Sequence, residues 1–365
     1  MDKDKTNEKS QNFIEEELNL DELKCVIDDQ TGKILKIPFC NYEKNFTLIR
    51  CLLYAKKADK ILVGTNHGLY VCNSKTFEME NALNPASTDG WCYDSINSTD
   101  SFFLYERKDG TILTSARRNK MRIYDLFKLE CIKEIKINLE NSWTVYDGTE
   151  LTNGNLVVAF YKSILIFDGK NYELINNINE YKDIILAVCS MKDNKFIAAS
   201  YEDPRLIFWK YDSDNFIKEV YCINEIKIDS GKRIVFNEEK NILFVGLSNN
   251  ILIIDGNKYN IIKTIEIIKS NGISYTKCLL LLTKGSFILA KGNGDIFKYD
   301  NEFNLHSQLK NDNESHHPLF NILDDILYCN NCLLVSYRKH SIKIFKKSNE
   351  KKKISEYHRY DYDSD

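Results

Sequence analysis

A chain of 365 residues with 43% hydrophobic and 12% aromatic residues carries enough apolar material for a large core, while 28% charged residues keep its surface polar. Lys+Arg 50 against Asp+Glu 53 leave a formal net charge of -3, which excludes the global positive field that draws proteins to nucleic acid or anionic lipid. Neither a nucleic-acid nor a membrane role is expected.

The opening decapeptide MDKDKTNEKS is polar and has no apolar stretch before a small-residue cleavage site, so no secretory signal is expected. Residues 1–22 read as a flexible leader. Within it, NFIEEELNLDELKCV places Ile14, Leu18 and Leu23 near one face of a short amphipathic helix.

From residue 23 to residue 346 the chain is organised by a repeat. Seven segments share an apolar run ending in a small residue, a short polar turn, and a second apolar run closed by Asp or a similar residue; KILVGTNHGLYVCN (60–73) and KNILFVGLSNNILIID (240–255) are two of them. The closing residues are Asn73, Asp125, Asp168, Lys210, Asp255, Asp300 and Lys346, and their successive separations are 52, 43, 42, 45, 45 and 46. Nine or ten residues before each stands a small residue: Gly64, Ser115, Ala159, Ser200, Gly246, Ala290 and Ser336. A fixed period of this length points to a propeller or solenoid.

Further apolar runs flank the shared pattern, such as TLIRCLLY at 47–54 before it and IIKTIEI at 261–267 after it, giving four short strands per unit. A lone four-stranded sheet leaves both faces bare, whereas seven packed face to face around an axis cover one another. The expected fold is all-β, a seven-bladed β-propeller of four-stranded antiparallel blades, with the small residues where the blades crowd together. The last unit lacks an obvious fourth strand. Gly32 to Phe39, in the repeat-like segment KCVIDDQTGKILKIPF, is expected to supply it and close the ring from the N-terminal side; Lys352 to Tyr360 is the competing closing strand.

The long first interval places its excess in NALNPASTDGWCYDSINSTD at 81–100, a projecting loop that carries Trp91. After residue 346, the segment 347–365 is basic and then acidic and aromatic, which reads as a charged flexible tail. Purely apolar runs such as Cys278 to Leu282 are far shorter than the roughly 20 residues of a membrane span. Eleven cysteines, an odd number lying mostly in strand-like runs, fit free buried thiols in a reducing compartment, so an intracellular, cytoplasmic or nuclear location is expected.

Chemical motifs are few. Cys329-Asn-Asn-Cys332 would be half a zinc site, but no second C-x-x-C pair exists, and Asn-Asn suits a two-residue hairpin turn, so no metal is expected. The six histidines show no H-E-x-x-H spacing, and no nucleophile elbow or phosphate-cradling glycine loop occurs, so no cofactor and no catalytic residue are assigned. Trp209, at a strand end, is expected in the core.

The dipeptides Tyr124-Asp125, Phe167-Asp168, Ile254-Asp255 and Tyr299-Asp300 resemble the Trp-Asp ending of WD repeats, and the small-residue strand ends resemble that family's Ser-Gly-Ser segment. No unit carries Trp-Asp itself, and the Gly-His signature is missing. The resemblance implies that the turns between second and third strands share one face with the blade-to-blade links, and that partners dock there. On this chain that face would carry His67, Trp91, Arg117, Arg118, Trp143, Tyr161, Tyr201, Arg338 and His340, together with Lys162, Asp203, Asn249 and Lys291.

The function implied is a non-catalytic protein-binding scaffold or adaptor in an intracellular complex. Its partners would be other proteins, with acidic or phosphorylated segments suited to the basic turns. Two alternatives stand beside it. One is a hydrolase-like propeller enzyme with His67, His340 and Asp203 at the channel mouth. The other is a phosphoinositide-binding propeller, although Arg117-Arg118-Asn119, between the second and third strands of its blade, departs from that group's Arg-Arg-Gly motif in both sequence and position.

Overall fold

The structure is a computed structural model that describes residues 18, 20–29, 49–66, 68–83, 103–116, 119–138, 145–201, 205–212, 215–221, 234–247, 249–267, 276–282, 285–309, 323–337 and 341–347. A 3-10 turn at Leu20–Glu22 leads into β1 (Leu23–Asp29). Blade 1 is then β2 (Ile49–Ala55), β3 (Lys60–Thr65), β4 (Leu69–Asn73) and β5 (Met79–Leu83). Blade 2 is β6 (Leu104–Glu106), β7 (Ile112–Ala116), β8 (Lys120–Asp125) and β9 (Glu130–Lys136). Blade 3 is β10 (Val145–Glu150), β11 (Leu156–Phe160), β12 (Ser163–Phe167) and β13 (Leu174–Ile178). Blade 4 is β14 (Ile185–Ser190), β15 (Lys195–Ser200), β16 (Leu206–Asp212) and β17 (Asn215–Tyr221). Blade 5 is β18 (Ile234–Asn237), β19 (Ile242–Gly246), β20 (Asn250–Asp255) and β21 (Ile261–Glu266). Blade 6 is β22 (Thr276–Leu281), β23 (Phe287–Lys291), β24 (Ile296–Tyr299) and β25 (Leu305–Leu309). Blade 7 is β26 (Leu323–Cys329), β27 (Cys332–Tyr337) and β28 (Ser341–Lys347), completed by β1.

Each blade is an antiparallel meander, and the first strands contact one another in order around the ring, with β26 against β2. The ring is therefore closed, with seven blades as the repeat requires. Second strands such as β11 are buried at every position, because the neighbouring blades cover both faces. Outer strands such as β9 and β21 are mostly exposed. Blade-to-blade apolar clusters form the core, for example Phe103, Leu113 and Ile123 of blade 2 with Val158 and Leu165 of blade 3.

The two sequence markers have separate physical roles. The small residues are buried at the blade interfaces: a Cβ on Gly246 would lie 2.6 Å from Thr276 Cγ2 on the next blade's inner strand. Gly246→Val is accordingly expected to destabilise the protein by about 1–3 kcal/mol through overpacking, read as a lower urea midpoint. An unchanged midpoint would mean that blades 5 and 6 do not approach this closely.

The closing residues cap turns. Asn73, Asp125, Asp168, Asp255 and Asp300 each accept two backbone N–H bonds of 2.8–3.2 Å from the turn that follows. The N–H groups of Asn171 and Lys170 hold the Asp168 carboxyl below its ordinary range, and those of Lys258 and Asn257 do the same to Asp255. After all five caps a bulky residue adopts a left-handed backbone, Phe77 (φ 65), Leu129 (φ 55), Tyr172 (φ 64), Tyr259 (φ 56) and Phe303 (φ 68), and Phe77, Tyr172, Tyr259 and Phe303 each donate the N–H to the carbonyl of the cap residue. That conformation costs about 1–2 kcal/mol, and at Phe77 and Tyr259 burial of the ring offsets it.

Ring closure comes from the N-terminal side, but by an earlier segment than Gly32 to Phe39. β1 pairs antiparallel with β28 from Leu23↔Lys347 to Asp29↔Ile342. The reason is the anchor just before it: Leu18 and Leu20 are buried against blades 6 and 7, so the residues entering the open edge of β28 are those that follow directly. The described part of the segment expected to be helical is not an α-helix: Leu20–Glu22 is a 3-10 turn and Leu23 opens strand β1, while the residues before Leu18 lie outside the described ones. Ile14, Gly32 to Phe39, Lys352 to Tyr360, and the loop with Trp91 lie outside the described residues, as does the tail from 348 onward.

Asn330 (φ 48) and Asn331 (φ 62) form the tight turn between β26 and β27, with Cys329 paired to Cys332. Burial pushes the Cys329 thiol up to about 12, and the residue is 2% exposed in the core. Trp209 is in the core, its Nε1 donating to Tyr181 Oη at 3.0 Å and its ring stacked on Phe196.

Candidate partner-binding face

A meander puts the 2–3 turns and the blade-to-blade links at one end of the ring, here called the link face, and the 1–2 and 3–4 turns at the other, the rear face. The rear face is knit together. Backbone N–H groups of Lys56 and Lys57 in blade 1 donate to the Glu106 carboxylate of blade 2 at 2.9 Å, and Lys108 N of blade 2 donates to Glu150 of blade 3 at 2.8 Å. Asn153 N donates to Asn194 Oδ1 at 2.7 Å, and Asn330 Nδ2 to Ser74 O at 2.9 Å, joining blades 3 to 4 and 7 to 1. The buried Arg107 reaches Glu150 at 3.2 Å, Tyr172 Oη at 3.1 Å and Gly169 O at 2.9 Å. These polar groups serve cohesion.

On the link face the structure brings two of the expected residues together. Tyr161, in the 2–3 turn of blade 3, has φ 51, and its carbonyl accepts from Ile185 N at 2.7 Å. Tyr201, at the start of the 2–3 turn of blade 4, donates its N–H to Ile184 O at 2.8 Å. The two tyrosines thus bracket the link at Ile184–Ile185 from opposite sides. Tyr201 is 43% exposed and Tyr161 half-buried. Lys162 Nζ stands 5.4 Å from the Tyr161 ring centroid, and Arg205 Nη2 donates to Glu180 O at 3.5 Å on the same link. Exposed Lys182 lies between them in sequence. The surface over blades 3 and 4 is aromatic with cations at its edge.

Other expectations fare differently. His67, Trp91, Arg117, Arg118, Trp143, Arg338 and His340 lie outside the described residues, as does Asp203. Asn249 is exposed at its turn. Lys291 is a correction to the expected face: it is 0% exposed, with Nζ 5.4 Å from the Phe297 ring centroid, and a side chain enclosed in this way offers nothing to a partner. Burial pulls its ammonium below the usual lysine range, with Asp295 opposing.

Sequence reasoning missed a group on the inner strands. Register shifts in β2, β10, β14, β22 and β26 each leave one extra residue near the strand start: Arg50, Tyr146, Leu186, Lys277 and Asp324. Such bulges re-aim side chains. Lys277 and Asp324 form a 3.2 Å ion pair between blades 6 and 7. Burial, and then the neighbouring Tyr161, push the Tyr146 hydroxyl up. The available signal was a charge inside an apolar run, as Arg50 is in TLIRCLLY. Among the described residues no group of His, Cys, Asp and Glu is arranged to hold a metal, and no helix is long and apolar enough to cross a membrane.

The chain is similar to the crystal structure of the WD40 β-propeller domain of Doa1, with a TM-score of 0.63 at 13% identity over 90% of this chain and 98% of that one. Its fold is that of a divergent WD40 propeller. No family model matches the sequence, and no curated protein matches it. The Asp caps close their turns through backbone hydrogen bonds whatever residue precedes them.

Proposed function

We propose that this protein is a non-catalytic scaffold that docks a partner protein on the link face over blades 3 and 4, with an acidic or phosphorylated segment as the class of ligand. The observation that carries the reading is the pair Tyr161 and Tyr201, held by backbone hydrogen bonds on either side of Ile184–Ile185 with Lys162 and Arg205 alongside. Tyrosine supplies large contact area at small entropic cost, and lysine and arginine at its edge give charge-assisted bonds to carboxylate or phosphate. The rear face, whose polar groups are engaged between blades, is the poorer candidate. An intracellular setting, cytoplasmic or nuclear, is part of the proposal and is supported by the free thiols of Cys51, Cys72, Cys278, Cys329 and Cys332 in the core.

Affinity purification of the tagged chain, beside a Tyr161→Ala, Tyr201→Ala variant, tests this. Each truncation is expected to weaken binding by about 1–2 kcal/mol, so recovery of stoichiometric partners falls at least about tenfold in the double variant. Equal recovery would move the interface away from these residues.

A further inference from the structure

The end of the leader is bound in a built seat. Leu18 and Leu20 are 6% and 0% exposed and pack with Ile288 and Ile296 of blade 6 and Leu333 and Phe345 of blade 7. Leu18, Leu20 and Asp21 are each held by a hydrogen bond with blade 6. Lys298 Nζ donates to Leu18 O at 2.7 Å, Leu20 N donates to Ser307 Oγ at 3.0 Å, and Gln308 N donates to the Asp21 carboxylate at 3.3 Å. Lys298 is itself 2% exposed, and a buried ammonium is tolerated only where oxygen acceptors meet it. The β1–β28 pairing starts only at Leu23 and blade 6 already has its four strands, so these contacts lie outside the ring-closing sheet itself.

We propose that this groove between blades 6 and 7 is a peptide-binding site, filled in cis by the leader, that takes an extended Leu-x-Leu-acidic segment of a partner protein when the leader leaves. Two apolar pockets spaced two residues apart read the leucines. Lys298 and Ser307 read the backbone through one carbonyl and one N–H, so they do not restrict the residue between. The Gln308 N–H reads the acidic side chain. The tethered leader acts at an effective concentration on the order of millimolar, so it holds the seat against a free segment of ordinary affinity. The site is distinct from the link face and does not depend on it.

The test uses the full chain carrying Leu18→Ser and Leu20→Ser, and a fluorescent peptide of residues 15–23, EEELNLDEL, followed by anisotropy. The variant is expected to bind the peptide at least tenfold more tightly than the wild type. Adding Lys298→Met should weaken that binding at least tenfold, and a peptide with both leucines changed to serine should not bind. A variant that keeps the wild-type circular dichroism and melting curve but does not bind the peptide would overturn the proposal, as would binding indifferent to Lys298→Met. Should the double variant not fold, hydrogen exchange on Lys298→Met alone decides. Faster exchange at Leu20, by at least tenfold, with β1 and β28 unchanged supports a separate seat; no change, or loss of all three together, contradicts it.

Discussion

Arg107→Ala is expected to lower the free energy of unfolding by about 3–5 kcal/mol, because it leaves the Glu150 carboxylate buried without its cation. Both side chains are about 95% covered, and one guanidinium holds Glu150 of blade 3, the Tyr172 hydroxyl and the Gly169 carbonyl at once. The Tyr172 ring also lies 5.7 Å from the guanidinium carbon. Removing the arginine therefore unties blade 2 from blade 3 at several points. Replacing the pair by Arg107→Met and Glu150→Leu together is expected to restore most of the loss, since no buried unpaired charge then remains and Asp109, the other partner of Arg107, is half-exposed. Urea unfolding of the three variants against the wild type measures this, and a loss below about 1 kcal/mol for Arg107→Ala would show that the pair is solvated.

The second large effect is at the seam where the ring closes. Asp325, 4% exposed on the inner strand of blade 7, accepts from Leu52 N of blade 1 at 2.8 Å and from Ile326 N at 3.0 Å. Ser336 binds its backbone in both directions, donating to Asp325 O at 3.2 Å and accepting from Asp325 N at 3.0 Å. Asp147 of blade 3 makes the same bond to Val188 N of blade 4 at 3.0 Å, three blades away around the ring. Asp325→Ala is expected to cost about 3 kcal/mol, since hydrogen bonds to a charged acceptor contribute about 1.5–3 kcal/mol each and the N–H groups of Leu52 and Ile326 both lose this acceptor. Asp325→Asn keeps an acceptor and should cost about half as much. Hydrogen exchange at Leu52 reports the seam directly: it should accelerate in Asp325→Ala and stay protected at Val188.

Much of the fold is legible in the sequence because propeller packing is periodic. The interval near 45 residues fixes the blade count, and the small residue and the Asp recur for two physical reasons, crowding between blades and capping of the third turn. The interblade polar bonds are harder to read. Arg107 and Glu150 are 43 residues apart, one repeat period, and each taken alone is only a charge at a strand end. The closing strand was misplaced for a related reason. Asp28 lies 45 residues before Asn73, so Leu23–Asp29 has the look of a third strand, yet the buried Leu18 and Leu20 deliver it to the open edge as a fourth. Of the candidate site, Tyr161 and Tyr201 were legible from their turn positions. Tyr146 and the other bulge residues were not, since a bulge is set by the register of two strands and not by either strand's own pattern.

The most direct test of the central claim sets the two faces against each other in one capture experiment. Tyr161→Ala with Tyr201→Ala removes the link-face pair, and Phe127→Ser changes a 73% exposed side chain in the 3–4 turn of blade 2 on the rear face. With both proteins folded, partners should be lost at least about tenfold from the first and retained by the second. Retention by the tyrosine variant together with loss from Phe127→Ser would contradict the account and assign binding to the rear face.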